Sequence, residues 1–269
     1  MILWGDGEDD LPAGMLLDPD LTPTNSRLSM NNTLVVIPTY NEIENIHGII
    51  QAVLDLDMDG VNLLVADDNS PDGTGEMADR MSAAHPGKVH VLHRKEKAGL
   101  GKAYLDGFAW GLKHGFEILC EMDADFSHDP KDLPCLVGAV RNGADLAIGS
   151  RRVKGGRVIG WGPHRHLMSW SANALSRLAL RLKTKDVTAG FRAYGKRSVK
   201  LLLEADIQSD GYAFQEETLF LIERSGHEVK EIPVTFRDRA AGVSKLTPRE
   251  ALGFFQTLWR LKTEENDRN

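Results

Sequence analysis

From Thr33 onward the chain repeats one pattern, a short apolar or β-branched run followed by a longer amphipathic stretch. The runs are TLVVIP (33–38), NLLVA (62–66), VHVL (89–92), ILCEM (118–122) and ADLAIG (144–149). The stretches between them lie at about 43–57, 74–84, 100–115 and 130–142. Strands that are apolar throughout are buried on both faces, which requires helices on both sides of the sheet. The pattern therefore predicts an α/β fold, a doubly wound, mainly parallel sheet flanked by helices, with ligands at the carboxyl ends of the strands. After Ser150 the rhythm changes. A Gly-rich basic loop, KGGRVIGWGP (154–163), precedes a predicted helix over about 164–183 with Leu167, Trp170, Ser171, Ala174, Leu178 and Leu182 on one stripe. VTAGFRAY (187–194), a helix near 213–225, the run EVKEIPVTF (228–236) and a helix over about 248–262 follow. That last helix carries Leu252, Phe255 and Leu258 along one face, with Trp259 beside it.

A chain of 269 residues, 42% hydrophobic and 26% charged, can bury one sizeable core, read as a single domain over 31–262 with a polar tail at 263–269. Residues 1–30 carry six acids against Arg27 alone and are predicted to be a disordered leader. There is no apolar run of about 18 residues and no basic, then apolar, start, so neither a spanning helix nor an export signal is expected. Cys120 and Cys135 show neither a disulfide framework nor metal spacing; both read as buried, inert thiols of a reducing compartment. The net charge of −7 conceals a belt from Leu146 to Lys185 that holds nine bases and no acid. Such a belt suits an anionic membrane or a phosphorylated ligand. Nucleic acid fits it less well, because no aromatics interleave at a stacking spacing.

The most informative segment is EMDADFSHDP (121–130), where Asp123 and Asp125 follow a buried strand and Ala124 leaves room beside them. Two hard carboxylates so placed can hold Mg²⁺ or Mn²⁺ against a diphosphate; equally, they can be solvated acids ahead of a helix that begins at Asp129–Pro130. The second strand runs into Asp67 and Asp68, which suit a ribose or a base, while Asp72 and Thr74 read as turn and cap residues. The first strand ends in VIPTYNE (36–42), bringing Pro38, Tyr40 and Glu42 to the same rim. Three strand ends so furnished look like one nucleotide pocket. Gly99 and Gly101 in AGLGKAYLDGF read as a helix start rather than a phosphate loop, with Lys102 as a minor donor contact.

In order, IPTYNE (37–42), DDNSPDGT (67–74), AGLGKAYLDGF (98–108), EMDADFSHDP (121–130), IGSRRVKGG (148–156), TAGFRAY (188–194), FQEE (214–217), EIPVTF (231–236) and RAAGVSK (239–245) resemble a known family. It is the family 2 glycosyltransferases of the GT-A fold, and within it the polyprenol (dolichol) phosphate mannosyltransferases, over about 33–250. The resemblance implies transfer of mannose from GDP-mannose to a polyprenyl phosphate, with Mg²⁺ or Mn²⁺. It implies donor contacts by Pro38, Tyr40, Glu42, Asp67 and the segment Asp123–Ala124–Asp125, and metal binding by Asp123 and Asp125. Relatives often carry Gln two residues past the second Asp; Ser127 stands there, with binding through water as its remaining role. Arg239 and Lys245 match positions that close over the donor diphosphate and sugar.

A lipid monophosphate is an ionised nucleophile near neutral pH, so positioning and charge compensation carry its chemistry without a general base. Arg151, Arg165 and Ser169 are the expected acceptor-phosphate residues, and Asp125, Arg151, Arg239 and Lys245 the expected catalytic set. His128 reads as a turn residue, His164 and His166 as polar surface, Glu217 as an acceptor-orienting or salt-bridging group and Glu216 as an exposed helix residue. The expected setting is cytoplasmic and peripheral, at the inner face of a membrane, with the stripe on 164–183 lying either in that interface or against the core. A separate integral membrane partner subunit is a further expectation; nucleic acid is not expected as a partner. Two other readings stand beside this one: a transferase of the same fold using UDP-glucose or a UDP-N-acetylhexosamine, and a catalytically silent sugar-nucleotide-binding subunit.

Overall fold

The structure, a computed structural model, describes residues 32–238 and 248–267. The expected leader and the segment bearing Arg239 and Lys245 lie outside the described residues. Strands β1 (Thr33–Thr39), β2 (Val61–Asp67), β3 (Val89–His93), β4 (Ile118–Glu121), β5 (Leu146–Ser150), β7 (Arg192–Gly195) and β8 (Val229–Pro233) form one sheet in the order β3-β2-β1-β4-β7-β5-β8. All neighbours pair in parallel except β7, which runs antiparallel between β4 and β5. A parallel ribbon of β6 (Arg157–Ile159) and β9 (Thr235–Arg237) stands apart.

Alternation within each strand sorts the core into two layers. On β1, Val35 and Ile37 pack with Ile46, Ile49 and Ile50 of α1 (Ile43–Leu54), Ala78 and Met81 of α2 (Thr74–Ala84) and Leu136 of α4 (Leu133–Arg141). Leu34 and Val36 face the other layer. There they meet Tyr104 and Phe108 of α3 (Leu100–Lys113), Leu180 of α5 (Pro163–Leu180), Leu202 of α6 (Lys196–Glu204), Phe214 of α7 (Tyr212–Arg224) and Leu258 of α8 (Pro248–Asp267). Helix α3 lies close on the sheet because it presents glycine: a Cβ on Gly107 would come within 2.5 Å of Val36, and one on Gly111 within 2.6 Å of Leu119.

The connections through α1 and α2 carry the chain outward from β1 to β3, and α3 returns it across the opposite face to β4. Strand order thus reverses between β1 and β4, which opens a crevice at their carboxyl ends. The site-bearing loops leave the sheet there.

Several details depart from the sequence reading or go beyond it. Helix α6 and the antiparallel pairing of β7 were not expected, and EVKEIPVTF divides at Pro233 and Val234 into β8, beside β5, and β9, beside β6. Cys120 is buried as expected, but Cys135 is exposed. Glu216, expected at the surface, is fully buried under α5. Of the expected stripe, Leu167, Trp170 and Leu178 are exposed, while Leu182 lies past the end of α5 and is buried in the core; Asn173, Ser176 and Leu180 make the buried side of the helix.

Candidate active site

At the end of β1 the chain passes through Pro38 to Tyr40 and Glu42, with Asn41 in the left-handed region (φ 60°). This loop is stitched to the one after β2. The Glu42 amide donates to Thr74 Oγ1 (2.9 Å), that of Ile43 to Asp72 Oδ2 (3.2 Å) and that of Asn41 to Ser70 Oγ (3.1 Å). Asp72 also accepts from the amide and hydroxyl of Thr74, which confirms its structural part. Asp67 is buried and accepts from Thr39 Oγ1 (3.0 Å) and from both the amide and hydroxyl of Ser70. Its carboxylate organises the rim from beneath. Asp68 is paired with Arg94, which also bonds Asp106 (3.0 Å). Glu42 accepts from Asn45 (2.9 Å), and Lys97 stands 4.1 Å above the Tyr40 ring. The residues expected to meet the nucleotide and those that brace them therefore lie on one rim.

Across the crevice, β4 ends at Glu121 and turns into Asp123, Ala124 and Asp125. The buried Tyr104 hydroxyl donates to Asp123 Oδ1 at 3.4 Å, and the Asp123 amide donates to His128 Nδ1 at 3.2 Å. His128 stacks on Phe191 and is thus the turn residue it was read as. The Ser127 amide donates to Asp125 Oδ1 (3.0 Å), and Phe126 takes a left-handed φ of 58° with its ring against Gly48. Ser127 Oγ is buried without a hydrogen-bond partner. Behind the turn, Glu121 accepts from Tyr194 (2.8 Å) and Gln215 (2.7 Å), and Arg192 binds the carbonyls of Val187 and Ala189 and the hydroxyl of Thr218. Burial outweighs these partners and pushes the Glu121 carboxyl up to about 7.

The AGLG segment opens α3, as read from the sequence. The amide of Gly101 is capped by Asp210 (3.0 Å), and a Cβ on Gly99 would collide with that carboxylate. Lys102 is exposed and pairs with Asp106 at 3.5 Å, on the helix surface.

A second cluster lies beyond β5. Arg151 grips Asp186 through Nε (2.8 Å) and Nη2 (2.6 Å) and also reaches Thr188. Asp186 is wholly buried. Burial alone would raise its pKa, yet the charge and hydrogen bonds of Arg151 hold the carboxyl below its usual range. Arg152 donates to Ser169 Oγ (2.9 Å), and Arg165 pairs with Asp238 (2.7 Å) while lying 4.4 Å from the Trp161 ring. The expected trio of Arg151, Arg165 and Ser169 is therefore gathered in one place. Arg152, Trp161 and Asp186 were not singled out, although Arg152 stands inside the quoted IGSRRVKGG. Glu217 is a strut: it accepts from Arg260 of α8 (2.7 Å) and from the Ser209 amide (2.9 Å).

A doubly wound sheet with strand-end carboxylates at the reversal point and a cationic cluster alongside is chemistry suited to phosphorylated ligands. The profile described as glycosyl transferase family 2 matches residues 34–203, and the chain belongs to that family and is a glycosyltransferase. It is similar to polyprenol monophosphomannose synthase of Mycolicibacterium smegmatis, 48% identical over 215 residues, which are 80% of this chain and 81% of that protein. Undecaprenyl-phosphate mannosyltransferase of Micrococcus luteus is 46% identical over 214 residues, 80% of this chain and 87% of that protein. Among solved structures, glucosyl-3-phosphoglycerate synthase from Mycobacterium tuberculosis, in complex with Mn²⁺, UDP-glucose and phosphoglyceric acid, matches with a TM-score of 0.65. Their identity is 22%, with 87% of this chain and 81% of that one covered, a likeness of fold that bears out the expected GT-A type.

Proposed function

We propose that this glycosyltransferase moves mannose from GDP-mannose to a polyprenyl phosphate, in one displacement with inversion at the sugar carbon. One observation carries the choice of sugar and acceptor: the two relatives nearly half identical over four fifths of the chain bear the names of mannosyl transfer to polyprenyl phosphates. In this reading the crevice between β1 and β4 takes the nucleotide. Tyr40 covers the base, Glu42 accepts from its exocyclic amine, and Pro38 shapes the floor. Asp67 and Asp68 hold the rim through Ser70 and Arg94.

Asp123, Asp125 and the orphaned hydroxyl of Ser127 suit a hard divalent cation, Mg²⁺ or Mn²⁺. Among the described residues no three acidic, His or Cys side chains converge on one point; a bound donor's diphosphate oxygens and water would supply the remaining ligands. Bound there, the ion would supply compensation for the negative charge of the departing diphosphate. Arg239 and Lys245 are assigned to the same diphosphate from the resemblance of RAAGVSK (239–245) alone. The acceptor phosphate, with a second pKa of about 6, is ionised at neutral pH and needs no base; the cations beyond β5 hold it and offset its repulsion from the donor.

Among the described residues no helix is long and apolar enough to cross a membrane. The exposed Leu167, Met168, Trp170 and Leu178 of α5 and Phe255 and Trp259 of α8, followed by the exposed Arg181, Lys183 and Lys185, support seating on an anionic bilayer surface at the cytoplasmic face. A separate integral subunit covering part of that face is compatible with the same chemistry.

The test of donor and acceptor is product formation with purified protein, a polyprenyl phosphate and Mg²⁺, supplying GDP-mannose or UDP-glucose in turn. Mannosylated lipid from GDP-mannose alone is the expected result. Product only from UDP-glucose replaces the donor and leaves the reaction class standing; failure with every sugar nucleotide removes the reading.

A further inference from the structure

We propose that Glu231 of β8 is a positioning residue for the transfer. It holds Asp186 and Ser150 in place, and through them the neighbouring Arg151 and Arg152. The effect on the acceptor rests on the reading of that substrate as a phosphate monoester; the hold itself rests on geometry alone.

Residues 181–187 leave α5 as an irregular strap that belongs to neither sheet. The strap alternates as a strand would: Arg181, Lys183 and Lys185 are exposed, while Leu182, Thr184 and Asp186 are buried. Without a neighbouring strand, its amides must find acceptors elsewhere. Side chains of three elements supply them. Glu223 of α7 accepts from the amides of Lys183 (2.8 Å) and Thr184 (2.9 Å) and from the Thr184 hydroxyl (2.6 Å). Glu231 accepts from the amides of Lys185 (2.9 Å) and Asp186 (3.0 Å) and from Ser150 Oγ (2.7 Å). Asn173 of α5 takes the Val187 amide (2.8 Å) and donates to the Lys185 carbonyl (2.6 Å). Every amide from Lys183 to Val187 is thus bonded to a side chain.

The consequence falls on Asp186. Its wholly buried carboxylate takes the backbone amide of Arg151 (2.7 Å) together with Nε and Nη2, so it holds that arginine only as firmly as its own backbone is held. Two lines of support meet at Glu231 Oε1. One runs to the Asp186 amide, and the other to the hydroxyl of Ser150, which itself accepts from the Arg152 amide at 3.2 Å. A single carboxylate therefore ties the strap to the end of β5 and fixes Asp186 relative to both arginines. Groups that meet a charged ligand act best when a further layer of hydrogen bonds has already set their positions. Glu223 secures the strap only upstream of Asp186 and has the lesser part.

The experiment follows hydrogen exchange over 182–188, and KM for a short prenyl monophosphate and for the sugar nucleotide, in wild type, Glu231→Gln, Glu223→Gln, Ser150→Ala and Glu228→Gln. Glutamine keeps one acceptor oxygen but turns an amino group toward the donors. Glu231→Gln should therefore raise the acceptor KM about tenfold, leave the donor KM unchanged and speed exchange at 185–187. Ser150→Ala removes one of the bonds to Glu231 and should raise the acceptor KM roughly threefold. Glu223→Gln should speed exchange at 183–184 and raise the acceptor KM less than Glu231→Gln does. Glu228 is exposed and pairs with Lys230, so Glu228→Gln reports the loss of a nearby charge and should match wild type. Thermal melts establish that each variant is folded; if Glu231→Gln is not, Ser150→Ala and Glu223→Gln decide. An unchanged acceptor KM in the deciding variants overturns the proposal, as does an equal rise in the donor KM or in Glu228→Gln. Should wild type transfer no sugar to the lipid, the functional reading fails separately, and exchange decides the hold. Faster exchange at 185–187 in Glu231→Gln upholds it; exchange as slow as in wild type overturns it.

Discussion

The carboxyl of Glu216 lies between α7 and α5, accepting from Ser176 Oγ at 2.5 Å through one oxygen while the other has no partner. Burial pushes it up to about 8, against the opposing pull of Ser176 and Arg192. Its folded pKa is raised above the ordinary 4.5, so the native state binds the proton more tightly than the unfolded chain. Stability from this group is complete below about pH 4.5 and declines as pH rises towards about 8. Glu216→Gln should match wild type near pH 5 and exceed it near pH 8.5 by on the order of 1–3 kcal/mol, read from denaturant unfolding at the two pH values. Equal pH slopes in the two proteins would contradict this. Nothing in the local sequence marks Glu216 as buried, since FQEE reads as a polar helix turn until α5 is laid over it. Arg152 was obscure for a similar reason. Its neighbour Arg151 carries the same charge, and only the position of Asp186 decides which of the two is held.

The elements themselves were largely legible. Apolar runs without alternation marked β1 to β5, and their ends gave Tyr40, Asp68, Asp123 and Asp125, because a doubly wound sheet leaves few places for polar residues after a buried strand. What escaped was what long-range pairing decides: the antiparallel β7, the short α6, and the division of 228–236 between two sheets. The stripe on α5 was visible, but its direction was not. Helical periodicity alone fits a core or an interface, and the exposure of Leu178 (81%) and of Trp259 on α8 (73%) settles the direction. Because α5 packs against α8, these side chains belong to neighbouring elements. Leu178→Glu combined with Trp259→Glu should weaken co-sedimentation with anionic phospholipid vesicles about tenfold or more, through lost apolar burial and added repulsion, with the melting temperature unchanged. Vesicle binding as strong as wild type would remove the face from the membrane reading.

At the scale of the molecule, the sheet reversal sets two charged regions side by side. One is a carboxylate-rich crevice suited to a cation and a diphosphate, and the other a cationic cluster suited to a single phosphate. On the proposed reading, the separation would give each of two anionic reactants its own compensation, the main electrostatic demand of joining a sugar nucleotide to a lipid phosphate. The most direct test is transfer of labelled mannose from GDP-mannose to a polyprenyl phosphate by wild type and by Asp125→Ala, each with Mg²⁺ or Mn²⁺ and with EDTA. The account predicts a metal-dependent lipid product with wild type, lost by a factor of about 100 or more in a folded Asp125→Ala. Product that survives both EDTA and Asp125→Ala would contradict it.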